Sequence, residues 1–246
     1  MISAVGVATL LLAFQGSGPA RPAKELDPGD PASVVEHAAY ATRTQKNYET
    51  AFKLRMQAAG APLEVQGKGV WLAPGVLFAE STGSGGDDKK IVRVGNQAWV
   101  YDALRQFWPT AEQCGMDGAG RGIQNPDEIL AVLSRNLQSA KFVNAGEIQL
   151  TLTGDDLARI VKQGGFLWNK SCARVDVTLD GEKRIRKVAC DAALVTVKND
   201  PVHYSAEVTF VSYNGAAELR FTDEKKRPIE LSQEMRQAVD ASAAGR

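Results

Sequence analysis

From position 48 to 58 the chain alternates. Tyr48, Thr50, Phe52, Leu54, Met56 and Ala58 occupy the even positions, with Glu49, Lys53, Arg55 and Gln57 among the odd ones. A period of two describes a strand with one buried and one wet face, as in an open antiparallel sheet. Just upstream the period is that of a helix. Asp30-Pro31 pairs a capping side chain with a proline at the first turn, and Val34, Val35, Ala38 and Ala41 form an apolar stripe ending near Thr44. Further strands are predicted at residues 65–73, 75–81, 91–94 and 98–101. They are joined through Pro74, the glycine-rich run 82–88 and Gly95-Asn96, which is the spacing of a meander.

Two helices interrupt the strands. Asn125-Pro126 opens one, with Ile129, Leu133 and Leu137 on one face; Thr153 caps the other, with Leu157, Ile160 and Val161 ahead of Gly164-Gly165. The C-terminal half adds two expected hairpins. Asn214-Gly215 is a type I′ turn signal, and a two-residue loop there sets Phe210 opposite Leu219 and Val208 opposite Phe221. The second hairpin turns near Asp180-Gly181. Centred on Gly181, it opposes Cys172 to Cys190, Val177 to Ile185 and Asp176 to Arg186; a strict two-residue turn shifts the register by one and moves Cys190 to the other face. In an oxidising compartment the first register makes a Cys172–Cys190 disulfide, and the alternative is two buried free thiols. Cys114 is left over in the glycine-rich segment 114–122.

The N-terminus adds an address. Residues 2–14 are uncharged and apolar and are followed by small residues up to Ala20. About 13 such residues are too few for a membrane span and suit the core of an export signal. The expected organisation is a signal peptide over 1–20, a proline-rich linker over 21–30 and a single domain over 31–246. With Cys114 the first cysteine, no lipidated cysteine follows the apolar run, so the expected product is soluble, periplasmic and monomeric.

Charge and chemistry narrow the function. Lys plus Arg and Asp plus Glu both total 29, so no basic excess draws the chain to nucleic acid. The two histidines, His37 and His203, have no ligand partners at metal spacing. There is no G-x-S-x-G elbow and no phosphate loop. Asp87-Asp88 are neighbours whose side chains point apart, and Asp155-Asp156 are explained as favourable charge at a helix N-terminus. The reading is therefore a non-enzyme without metal or cofactor.

Residues 64–108 carry a resemblance. The order is a strand begun around Gly67, Pro74, a further strand to Gly95-Asn96, and then Trp99 and Tyr101 before Asp102. This segment resembles the LolA/LolB-type periplasmic lipoprotein carriers and the related LppX/LprG lipid-transfer lipoproteins, with pattern-level agreement beyond it. The resemblance implies an α+β fold: a strongly curved antiparallel β-sheet, an incomplete barrel, with helices covering its concave face and acyl chains between. It implies a carrier of lipoprotein acyl chains or another apolar ligand, with Phe52, Leu54, Met56, Trp71, Phe78, Trp99, Tyr101 and Phe107 as candidate ligand-binding residues. The alternative is an envelope sensor or scaffold that binds a protein partner with the same fold, as RseB-like regulators do. One departure bears on cargo. The family's carriers commonly have a basic residue before the proline of the second strand, and here Leu72-Ala73 precede Pro74.

Overall fold

The structure, a computed structural model, describes residues 21–22, 24–58, 62–72, 75–83, 88–95, 97–113, 126–133, 139–161, 166–215, 220–223 and 225–244. Residues 1–20, Pro74, Asn96, Cys114, Asn125, Leu137, Gly164, Gly165 and Leu219 lie outside the described residues, as do the side chains of Ile160 and Val161.

Among the described residues ten strands form one antiparallel sheet: β1 (Asn47–Gln57), β2 (Leu63–Leu72), β3 (Val76–Gly83), β4 (Asp88–Val94), β5 (Gln97–Val100), β6 (Ala140–Asn144), β7 (Glu147–Thr153), β8 (Cys172–Leu179), β9 (Ile185–Val195) and β10 (Pro201–Tyr213). Their order is β5-β4-β3-β2-β1-β10-β9-β8-β7-β6, two five-stranded meanders joined where β1 pairs with β10. The outer strands β5 and β6 do not pair with each other, so the barrel is incomplete. Among the described residues four α-helices complete the α+β fold: α1 (Pro31–Arg43), α2 (Pro126–Leu133), α3 (Gly154–Val161) and α4 (Gln233–Ala244).

Helix α1 starts as its sequence dictates. The Asp30 side chain accepts the Ala32 N–H and Pro31 fills the first turn. Its buried side chains are Val35, Ala38, Ala39 and Thr42, so the stripe is rotated from the expected one, with Val34 and Ala41 at its margin. Thr42 sets that rotation. Its hydroxyl donates to the Ala38 carbonyl at 2.8 Å and accepts the Ile185 N–H at 3.0 Å, tying α1 to the start of β9.

Both expected C-terminal hairpins need correction. Strand β10 runs between β1 and β9, with Val208 opposite Phe52 and Val188, and Phe210 opposite Thr50. Both edges of β10 are thus taken and no 208–221 pairing forms. Asn214 does adopt a left-handed conformation, at φ 54°, yet it serves the start of β1: its N–H donates to the Asn47 carbonyl and its side-chain carbonyl accepts the Lys46 N–H. The other hairpin forms with a longer turn. Residues 180–184 close it, with the Asp180 carboxylate accepting the Glu182 and Arg184 N–H groups and Lys183 at φ 62°. The register becomes Val177 opposite Val188, Val175 opposite Cys190 and Cys172 opposite Ala193. Cys172 is then exposed on the outer face and Cys190 buried on the inner one, and both are free thiols rather than a disulfide.

The same hydrogen bonds recur between Thr196 and Asp200 and between Asp223 and Arg227. In each pair the N–H of the first donates to the carbonyl of the second and the N–H of the second donates to the side-chain oxygen of the first, with Asn199 at φ 64° and Lys226 at φ 60°.

Alternation divides the interior in two. The main core lies on the concave face, where Val35, Ala38, Leu130, Leu133 and Leu157 from α1, α2 and α3 pack on Phe52, Trp71, Leu152, Val175, Val188 and Val208. A second, smaller core lies on the opposite face of β3–β5, where Val92, Trp99, Trp108, Phe221 and Met235 pack together under α4 and the chain leading to it.

Candidate ligand cavity

The concave face is built by the inward parity of β1, β7, β8, β9 and β10. Val175, Cys190 and Ala206 form one cross-strand row, and Val188 and Val208 are cross-strand partners nearby. Helix α2 lies over them with Ile129 and Leu133 one turn apart, both buried. Between helix and sheet remains a cavity of about 10 Å³, lined by Ile129, Leu133, Leu152, Val175, Val188, Cys190, Ala206 and Val208. Among the described residues no charged group lines it, and at that volume it is near the minimum for a single water. The helix side chains fill the space in the half-barrel. Burial pushes the Cys190 thiol up to about 12, with the neighbouring Asp191 charge adding to it, so the group stays neutral in this apolar wall.

The candidate ligand residues divide between the two faces. Phe52 and Trp71 are buried in the concave core, with Leu54 and Met56 packed at its margin. Trp71 stacks on Tyr48 at 4.8 Å, and Phe210 meets the same ring edge-on at 5.2 Å. Phe78, Trp99 and Tyr101 lie on the opposite face. There Phe78, Val92 and Trp99 form one cross-strand row, Tyr101 packs on Trp108 at 5.1 Å, and the Trp108 indole N–H donates to the Glu230 carbonyl. Phe107 is 42% exposed on a hairpin beyond β5. One parity rule explains the division: these side chains leave the sheet on opposite sides. The cavity residues missed from the sequence were Ile129, Leu133 and the inward positions of β7–β10. Their signal was the i, i+4 spacing in α2 and the alternation of β8 and β9.

Two larger grooves, each about 600 Å³, lie on the outer, polar face. The first is lined by Arg55, Arg174, Asp176 and Glu207 together with Leu54, Val65, Cys190 and Ala206, and charges along it pair, Arg55 with Glu64 at 3.5 Å and Arg174 with Asp176 at 3.3 Å. A groove with ion pairs in its wall is open to solvent, whereas every residue named around the small cavity is apolar, so that cavity is the better candidate for an apolar chain despite its size. Among the described residues no group of three His, Cys, Asp or Glu side chains converges as a metal site.

The chain is similar in structure to LprF from Mycobacterium bovis. That likeness has a TM-score of 0.43 at 9% identity and covers 80% of this chain and 99% of the other. A DUF1329 family protein from Desulfovibrio piger matches with a TM-score of 0.38 at 10% identity, over 77% of this chain and 95% of that one. A putative outer membrane lipoprotein-sorting protein domain from Vibrio parahaemolyticus matches with a TM-score of 0.34 at 8% identity, over 78% and 95%. No family model and no curated protein matches the sequence.

Proposed function

We propose that this protein is a soluble periplasmic carrier that binds lipoprotein acyl chains, or another apolar ligand, inside its half-barrel. The observation that carries the reading is the concave apolar face covered by α2, whose Ile129 and Leu133 face the sheet and whose Leu130 is buried in the same core. Most of the stability of such a helix comes from the packing of its apolar side chains rather than from the helix itself. Three such side chains gain roughly 6 kcal/mol by burial, at about 2 kcal/mol each. A twelve-carbon acyl chain in the same space gains about 10 kcal/mol before ordering costs. Exchange of helix side chains for cargo is therefore within energetic reach. Among the described residues no helix is long and apolar enough to cross a membrane. The resemblance over residues 64–108 supports the same reading, and Leu72-Ala73 before Pro74 favours an apolar ligand other than lipoprotein.

The test is to strip the protein of lipid, expose it to an envelope extract and identify by mass spectrometry what it recovers. Stoichiometric lipid is the expected result. Recovery of a stoichiometric protein without lipid would replace the carrier with the sensor or scaffold reading.

A further inference from the structure

We draw no further inference here: the strongest candidate, the aromatic patch on the outer face of β3–β5 where Phe78, Val92, Trp99 and Trp108 pack with Phe221 and with Met235 of α4, belongs to the second core already described, and nothing in the structure shows a partner that would take the place of α4 on it.

Discussion

The ring of Phe52 lies where a side chain at Gly67 would have to go. A Cβ built on Gly67 comes within 2.6 Å of the Phe52 Cζ and 2.2 Å of the Glu80 carbonyl oxygen. The two residues are cross-strand partners, so the ring covers its partner's bare backbone and lets β3 approach β2 closely.

Gly67→Ala should therefore destabilise the protein by about 2–3 kcal/mol, because the obstructing atom is backbone and gives way only if two strands move. Gly69→Ala, whose nearest neighbours stand at 3.3 Å, should cost about 1 kcal/mol or less. Urea midpoints of the two variants, at unchanged slope, measure the difference.

The same parity that seats Phe52 was legible in the sequence, and so was α1 with its Asp30-Pro31 start. What was not legible has physical causes. Residues 76–79 read Val-Leu-Phe-Ala without alternation, because β3 is covered on both faces, by the concave core and by the segment running from Phe221 to α4. With both sides apolar, no pattern tells which aromatic faces the cavity, and the structure puts the candidates Phe78 and Trp99 on the other face. The β10 hairpin failed for a different reason. Asn-Gly reports a tight turn but not which strand lies beside the one before it, and a long-range pairing with β1 took that place. At Asp180 the turn type was the missing quantity: the carboxylate holds five residues rather than two or three, and an odd change in register moved Cys190 to the inner face.

That inward position makes Cys190 unreactive. With its thiol pushed up to about 12, almost none is thiolate at pH 8, and it is buried as well. In a Cys114→Ser variant, iodoacetamide at pH 8 should modify Cys172 fully and leave Cys190 untouched until denaturant is added. Peptide mass mapping reads the result. Protection of both thiols by a shared bond would mean the hairpin takes the other register.

The Asp180 turn should show a dependence on pH. Burial pushes its carboxyl up, but the N–H groups of Arg184 and Glu182 and the Arg184 guanidinium at 2.8 Å outweigh this and hold it below its ordinary value. A lowered folded value means that the stabilisation is present above the unfolded value of about 3.9 and fades as pH falls through the folded one. Asp180→Asn should cost about 1 kcal/mol at pH 7, a modest figure because solvent screens part of the pair. The gap between variant and wild type should narrow as pH falls below that unfolded value. Denaturation curves at pH 7, 5 and 3 follow it.

The cavity itself offers a test in which stability and binding move in opposite directions. Leu133 is fully buried and faces Val175, Val188 and Val208 across a space of about 10 Å³. Leu133→Ala removes side-chain volume from the helix and none from the sheet, so it should destabilise the fold by about 2–4 kcal/mol while enlarging an apolar void. An apolar void lined in this way stays dry and accepts apolar guests. If acyl chains enter here, the variant should bind a fluorescent fatty-acyl probe more tightly than wild type, because less helix packing has to be displaced. The probe should also restore part of its lost thermal stability, as a ligand selective for the folded state must. Ala206→Phe approaches the same space from the sheet and should abolish binding with little loss of helix content. Tighter binding in the first variant and none in the second would locate the cargo between α2 and the sheet. Unchanged binding in both would place any apolar ligand elsewhere and leave α2 as ordinary core.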